Sequence, residues 1–140
     1  MIKNVIIYED NKVENLFPFT INHASFELHA GLLTNIDRIK YFYNKDIKII
    51  LIVRDEIKDI IKKRFPDEVV NPDIIPEGYC FNGAAIIYDK DSIENKNLIS
   101  YNEEIIFFKN QKVVSFKEFR NFTTSYNSTD SLNIKRHLII

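Results

Sequence analysis

Two short runs of apolar residues predict the first strands of the fold. Residues 4–8 (NVIIY) and residues 47–53 (IKIILIV) are rich in β-branched side chains and contain few polar positions. This pattern is typical of parallel strands that are covered by helices on both faces of a sheet. We therefore expect both runs to lie at the centre of an α/β domain.

Between these runs, apolar residues recur at steps of three and four positions. This spacing predicts a helix over residues 26–44 with one buried face. The apolar positions on that face are Leu28, Leu32, Ile36, Ile39 and Tyr43. A strand, a helix and a second strand form a crossover unit, which is right-handed in nearly all folds.

A second strand–helix unit is predicted after residue 53. Asp55 follows the second apolar run and is a candidate N-cap for a helix that ends before Pro66. Residues 66–78 contain three of the four prolines, so we expect an irregular segment there. Residues 79–88 (YCFNGAAIIY) then predict a third strand.

The next apolar runs predict a β-hairpin. Residues 105–109 (IIFFK) and residues 112–116 (KVVSF) flank the turn-forming pair Asn110 and Gln111. A short helix over residues 117–122 is expected to follow.

Together these elements predict a three-layer α/β fold. Its sheet is mainly parallel and is formed by residues 4–8, 47–53 and 81–88, with a flavodoxin-like doubly wound domain as the alternative. Residues 1–122 are expected to form the domain. Residues 123–140 begin with a stretch rich in Ser, Thr and Asn, which predicts a linker or the start of a following element.

Composition narrows the class of protein. The 140 residues are 45% hydrophobic and 28% charged, which is ordinary for one globular domain. Lys and Arg number 19 against 20 Asp and Glu, so the chain lacks the basic field of a nonspecific binder of nucleic acid or anionic membranes. One cysteine, Cys80, and no membrane-length apolar run or signal peptide predict a cytoplasmic protein.

The candidate chemistry lies in the loop after the first strand and at the end of the third. Ligands of open α/β sheets bind beyond the carboxyl ends of the strands, and long loops at that edge are commonly functional. Residues 9–29 form such a loop. The third strand is interrupted at Asn82 and Gly83, where a glycine allows either a close ligand or a bulge.

The long loop carries a family resemblance. It reads NLFPFTINHASFELHAGLLT, is preceded by YED, and resembles the amino-terminal nucleotidyltransferase-like domain of bacterial proteins that also carry a left-handed β-helix acyltransferase domain. That group has an acidic pair followed by L-x-P-L-T-x-x-R-P and E-L-R-x-G-I-L-T. The matching residues are Leu16, Pro18, Phe19, Thr20, Glu27, Leu28, Gly31, Leu32, Leu33 and Thr34. The segments VRD (residues 53–55) and FNG (residues 81–83) also match, and the resemblance implies a Rossmann-like nucleotidyltransferase-type fold.

The chain departs from the wider family of sugar-phosphate nucleotidyltransferases. Those enzymes open with G-x-G-T-R-L-x-P-L-T and use Mg²⁺ in the attack of a sugar 1-phosphate on the α-phosphate of a nucleoside triphosphate. Asn11 and Val13 replace the two glycines, which let backbone N–H groups approach phosphates. Asn15 replaces the arginine, which neutralises charge in the transition state. Ala84 stands where the family places a metal-binding aspartate after the third strand.

The remaining loop residues suggest roles in such a site. Lys12, the remaining Lys or Arg of the loop, and His23, a phosphate partner when protonated, are the candidate catalytic residues; His23 also fits a solvent-facing loop residue. Glu9 and Asp10 put two negative charges where a triphosphate would lie, so a cation is needed between them, and Asp10 is the candidate Mg²⁺ ligand. The candidate substrate-binding residues are Glu9, Asp10, Asn15, Pro18, Thr20, Asn22, Asn82 and Gly83.

Two functions of different classes fit these observations. The first is transfer of a nucleoside monophosphate from a nucleoside triphosphate to a sugar 1-phosphate. The second is a catalytically inactive module that binds a nucleotide or nucleotide-sugar and helps to regulate or assemble a larger acyltransferase-type protein. The changed loop residues favour the second function, whereas the acidic pair of the closer group supports the first.

The last residues of the chain are again apolar. Residues 133–140 read NIKRHLII and show no hexapeptide period. We expect them to pack back on the sheet or to mediate homo-oligomerisation, or else to mark a chain cut from a longer one.

Overall fold

The computed structural model describes residues 3–10, 16–17, 20–43, 47–87, 89, 91–101 and 104–125. The strands are β1 Lys3–Tyr8, β2 His29–Ala30, β3 Leu33–Thr34, β4 Ile47–Ile52, β5 Val69–Val70, β6 Ile74–Ile75, β7 Gly78–Asn82, β8 Leu98–Tyr101, β9 Glu104–Asn110 and β10 Val114–Ser115. The helices are α1 Asn35–Tyr43, α2 Lys58–Arg64, α3 Asp91–Glu94 and α4 Phe116–Ser125, with 3₁₀ turns at Ser25–Glu27 and Asp55–Ile57.

The central sheet has the strand order β5-β4-β1-β7-β9-β8. Strands β5, β4, β1 and β7 are parallel, whereas β9 is antiparallel to both of its neighbours. Tyr8 at the end of β1 is opposite Ile52 of β4 and Asn82 of β7. The carboxyl ends of these three strands are therefore level, and the residues that follow them share one edge of the sheet.

Helices cover both faces of the sheet, as the sequence predicts for strands that are apolar on both sides. Val5 and Ile7 of β1 belong to a core that includes residues of α1 and α2. Ile6 and Tyr8 point to the opposite face and pack with Phe119 of α4. The three-layer α/β fold with a mainly parallel sheet is thus confirmed.

The connections exclude the flavodoxin-like alternative. Strands β4 and β5 are added in succession on one side of β1, and both α1 and α2 lie on the same face. A flavodoxin-like order places the third strand on the other side of the first, which puts the second helix on the other face. In this chain the connection between β5 and β7 is the one that passes from one side of β1 to the other. The strand order therefore reverses between β1 and β7, where Rossmann-like folds bind ligands.

The helix predicted over residues 26–44 is shorter than expected. α1 begins at Asn35, and the chain before it forms the 3₁₀ turn Ser25–Glu27 and the β2–β3 hairpin. At the hairpin tip Gly31 has φ 75°, a left-handed conformation that glycine adopts readily. Leu32 beside it is 98% exposed. Its helical spacing with Ile36 was therefore coincidental.

Two strand predictions were also wrong. The third strand ends at Asn82 instead of continuing to residue 88, because the chain turns there and the Ala85 N–H donates to the Asn82 carbonyl at 3.1 Å. The hairpin that we expected around residues 110–111 does not form, since β9 pairs with β8 and β10 pairs with β6. β10 leads directly into α4, which contains the predicted helix over residues 117–122 and continues to Ser125.

The segments around α2 show two further differences. Residues 66–78, which we expected to be irregular, contain β5 and β6. Asp55 does not cap a helix with its side chain but begins a 3₁₀ turn, and its carboxylate pairs with Lys58 at 2.8 Å. Among the described residues, no helix is long and apolar enough to cross a membrane.

The role of α4 as a layer of the core can be tested by truncating Phe119. Its ring is fully buried and contacts Tyr8 and Phe108, each at a centroid distance of 5.7 Å. Phe119→Ala should lower the free energy of unfolding by about 3–5 kcal/mol, because it leaves a cavity. Tyr41→Ala on α1, where the ring is 78% exposed, should change it by less than about 0.5 kcal/mol. Denaturant titration measures both values, and equal effects would contradict this packing.

Candidate functional site

The candidate site is the edge of the sheet where β1, β4 and β7 end. Glu9 follows β1, and its backbone N–H continues the sheet by donating to the Ile52 carbonyl at 3.0 Å. Its carboxylate is fully buried. One carboxylate oxygen accepts from the Arg54 N–H at 3.0 Å, and the other accepts from the Ser25 N–H at 3.0 Å and from the Arg54 guanidinium at 2.6 Å. Glu9 therefore joins β1 to the residues after β4 and to the 3₁₀ turn.

Burial and pairing act on Glu9 in opposite directions. Burial raises the pKa of the Glu9 carboxyl, whereas the hydrogen bonds and charge of Arg54 and the Ser25 N–H lower it. The effect of burial is larger, and the pKa stays above the usual glutamate value. The ionised carboxylate thus depends on Arg54 for its compensation.

Arg54 also binds the first loop, which is the segment between β1 and β2 (residues 9–28). Its Nη2 donates to the carbonyls of Thr20 and His23, the latter at 3.3 Å. Arg64 of α2 holds the same loop from outside by donating to the Asn22 carbonyl at 2.8 Å, and it pairs with the Glu27 carboxylate at 2.9 Å. Two arginines therefore fix residues 20–23 through main-chain oxygens.

Asp10 lies beside the end of β7. Its carboxylate accepts from the Asn82 side-chain amide at 2.9 Å, and both residues are almost completely buried. The same Asn82 amide donates to the Ile105 carbonyl at 3.0 Å, and its oxygen accepts from the Ala84 N–H at 3.0 Å. Asn82 is thereby held in an orientation that presents a donor to Asp10.

Gly83 allows the first loop to approach the end of β7. Its N–H donates to the Tyr8 carbonyl at 2.7 Å. A Cβ atom at this position would lie 2.7 Å from Ser25 Oγ and 3.1 Å from Phe26 Cβ, so any larger residue would displace the 3₁₀ turn. Asn35 at the start of α1 secures the same segment by donating to the Gly83 carbonyl at 2.6 Å. The glycine therefore serves close packing of the loop here.

Arg120 reaches the site from α4 on the other face of the sheet. Its guanidinium donates to the Glu9 carbonyl. Burial lowers the pKa of Arg120, and the negative charges of Glu9 and Asp10 raise it. Arg120 also lines a cleft of about 510 Å³ at the carboxyl ends of β4 and β5. The site thus combines two carboxylates with two guanidinium groups from different elements.

The structure brings together Glu9, Asp10, Asn82 and Gly83, all of which the sequence singled out. Thr20, Asn22 and His23 lie next to them, with Thr20 buried and the side chains of Asn22 and His23 exposed. Lys12, Asn15 and Pro18 are outside the described residues. In the described part of the chain, no group of three or more His, Cys, Asp or Glu side chains is placed to hold a metal ion. The functional roles of all these residues stay predictions.

Arg54 and Arg120 were not among the predicted site residues. Arg54 lies two residues after the end of β4, and the rule that directed attention to the end of β1 applies equally to it. Its side chain is only 15% exposed. Arg120 gave no comparable signal, because only the tertiary fold brings α4 to the end of β1.

Comparison with known proteins adds one finding. A family model described as sugar nucleotidyl transferase matches residues 5–138. The matched residues include the described sheet from Val5 onward and every residue of the site. No curated protein and no solved structure gave a significant match.

Removing the Arg54 side chain should lower the stability of the fold, because the buried Glu9 carboxylate loses its counterion. Arg54→Ala should lower the free energy of unfolding near pH 7 by about 3–5 kcal/mol, because it leaves a buried carboxylate without its counterion. The loss should shrink as the pH falls toward 4.5 and Glu9 becomes protonated, since a raised pKa favours the neutral form in the folded state. Denaturant titration between pH 4.5 and 7.5 measures this dependence.

Arg64→Ala is the matched control. Arg64 also pairs with a glutamate and binds a loop carbonyl, but its side chain is about one third exposed. Its removal should cost about 1 kcal/mol or less. Equal losses for the two variants, or a loss for Arg54→Ala that does not change with pH, would contradict the compensation of Glu9 by Arg54.

Proposed function

The chain belongs to the sugar nucleotidyl transferase family, and on that basis we propose that it transfers a nucleoside monophosphate from a nucleoside triphosphate to a sugar 1-phosphate. In this reaction a phosphate oxygen of the sugar phosphate attacks the α-phosphorus. The bond from that phosphorus to the bridging oxygen of the β-phosphate breaks, and pyrophosphate leaves. The proposed location is the crevice between the ends of β1 and β7, where the strand order reverses.

The unequal environment of the two acidic residues carries this proposal. Glu9 and Asp10 together would repel a triphosphate, but the charge of Glu9 is compensated by Arg54 and by two backbone N–H groups. Asp10 is held by the neutral Asn82 amide and lies near the positive charge of Arg120. The charge of Glu9 is therefore compensated inside the fold, which weakens the electrostatic objection to an anionic substrate.

Asp10 fits the role of a Mg²⁺ ligand. Mg²⁺ prefers oxygen donors and is commonly held by one or two carboxylates, water and the phosphates of the substrate, so one carboxylate is a sufficient donor set from the protein. When bound, Mg²⁺ would neutralise charge on the phosphates. The Asn82 amide orients the Asp10 carboxylate.

The first loop supplies the other proposed contacts. Arg54 and Arg64 fix the main chain of residues 20–23, which leaves the exposed side chain of His23 as a phosphate partner. Lys12 is proposed for the same role. Thr20, Asn22 and Gly83 are proposed as the residues nearest the nucleotide.

An inactive binding or assembly module is the second proposal. The observation in its favour is Ala84, which is exposed at the turn after β7 and stands where the wider family has its metal-binding aspartate. In this case a nucleotide or nucleotide-sugar would bind without transfer. We also propose that the chain is part of a cytoplasmic bacterial protein with an attached acyltransferase domain, and that the chain self-associates.

Asp10→Asn separates these two functions. If the chain transfers nucleotides, calorimetric titration with a panel of nucleoside triphosphates should show binding that requires Mg²⁺, and the substitution should weaken it on the order of tenfold or more, since it removes the charged ligand. Pyrophosphate release in the presence of a sugar 1-phosphate should fall in parallel. Binding that is independent of Mg²⁺ and unchanged by Asp10→Asn, without pyrophosphate release, would support the inactive module instead.

Asp59→Asn provides the control for a lost carboxylate. Asp59 is an exposed residue of α2 and carries the same charge, so its substitution should leave both binding and release unchanged.

A further inference from the structure

Another cleft lies at the opposite edge of the sheet from the candidate site. It is formed by the amino ends of β1 and β7 and the carboxyl end of β9, and its volume is about 550 Å³. Pockets for small molecules typically measure about 300–1,000 Å³. The cleft is therefore large enough for a small metabolite, and the length of β1 separates it from Glu9.

Two lysines supply positive charge to this cleft. The ammonium groups of Lys3 and Lys109 lie 4.5 and 5.5 Å from the centre of the Tyr79 ring. Lys3 is also 3.8 Å from the Glu94 carboxylate, whereas Lys109 forms no ion pair with a described residue. An aromatic ring attracts a cation without neutralising its charge. The charge of Lys109 is therefore available to an anion.

The cleft also contains a buried acceptor that lacks a donor. Asn110 lines the cleft and is 2% exposed. Its amide nitrogen donates to the Pro76 carbonyl at 2.8 Å, which fixes the orientation of the amide. Its amide oxygen has no hydrogen-bond partner among the described residues, and a buried acceptor is destabilising until a donor reaches it. A ligand with a hydrogen-bond donor would satisfy this oxygen.

The cation and the acceptor reach the cleft from different faces of the sheet. In the register of β7 and β9, Tyr79 is opposite Lys109, and Gly78 is opposite Asn110. Successive side chains of a strand point to opposite faces, so Lys109 and Asn110 border the cleft from its two sides. A ligand that contacts both must extend across the edge of the sheet. Its anionic group and its donor group must therefore be several bonds apart.

We propose that this cleft binds a small zwitterion with a carboxylate at one end and an ammonium group at the other, the chemistry of an ω-amino acid. Lys109 binds the carboxylate, and Lys3 adds to the positive field there. The ammonium group donates to the amide oxygen of Asn110 and is attracted by Glu77, an exposed carboxylate that also lines the cleft. The proposal goes beyond nucleotidyl transfer, because this binding requires neither nucleotide nor Mg²⁺.

Calorimetric titration of the full chain with 4-aminobutyrate tests the proposal. Lys109→Gln should weaken binding on the order of fivefold, because a half-buried charged contact is lost, and Glu77→Gln should weaken it by roughly twofold, as expected for an exposed pair. The matched controls are Lys112→Gln, at a nearby exposed lysine outside the cleft, and Glu56→Gln, at an exposed glutamate near the other edge of the sheet. Both controls should bind 4-aminobutyrate like the unmodified chain.

The two ends of the ligand are tested by removing them in turn. Butyrate lacks the ammonium group and butylamine lacks the carboxylate, so each should bind on the order of fivefold more weakly than 4-aminobutyrate. Glycine keeps both charged groups but holds them on a single carbon. It should also bind more weakly, because it cannot contact Lys109 and Asn110 at the same time.

Three results would overturn the proposal: equal binding by Lys109→Gln and Lys112→Gln, binding of butyrate or glycine as tight as that of 4-aminobutyrate, or no binding of 4-aminobutyrate to the unmodified chain. Failure here is distinct from failure of the proposed function. Asp10→Asn should leave the binding of 4-aminobutyrate unchanged, and its binding without pyrophosphate release leaves this site in place. Pyrophosphate release by a chain that does not bind 4-aminobutyrate removes this site alone.

Discussion

The Glu9 carboxylate has no contact with solvent, and an ionised carboxylate moved out of water costs several kcal/mol unless protein groups compensate it. Its compensation comes from the main chain and guanidinium of Arg54 and from the main chain of Ser25. These donors belong to the segment after β4 and to the 3₁₀ turn before β2. The cost of burying one charge is therefore reduced only when three separate segments meet at the end of β1, and the geometry of the candidate site follows from that meeting.

The pleat of β1 gives the two acidic neighbours different surroundings. Successive side chains of a strand point to opposite faces of the sheet, and this alternation continues past Tyr8. Glu9 contacts Ser25 and Arg54 on the side of α1 and α2. Asp10 contacts Asn82 and lies near Arg120 of α4. Two adjacent acidic residues thus have different partners: Glu9 forms an internal ion pair with Arg54, and Asp10 accepts from the Asn82 amide at the end of β7.

The sequence predicted the layers of the fold and the edge that carries the site, because apolar periodicity records burial and the end of a buried strand marks the start of a loop. It did not predict where α1 begins, since the spacing of Leu28 and Leu32 imitates a helix that Gly31 interrupts. It did not predict the partner of β9 either, because strand pairing is decided by contacts distant in the chain. The same limit applies to the site: Glu9, Asp10 and Asn82 adjoin strand ends and were found, whereas Arg120 is 111 residues from the Glu9 carbonyl that it binds.

The replaced loop residues acquire a physical explanation from these arginines. Asn15 stands where the resemblance to the wider family places a loop arginine, whereas Arg120 of α4 brings a positive charge to the end of β1. The charge of Arg54 is paired with Glu9, so Arg120 is the cation that an anionic ligand would meet, and its hydrogen bond to the Glu9 carbonyl holds the guanidinium in one orientation. Electrostatic stabilisation of an anionic ligand depends on such fixed orientation. The substituted loop is therefore compatible with an anion site whose charge is supplied by the scaffold instead of the loop.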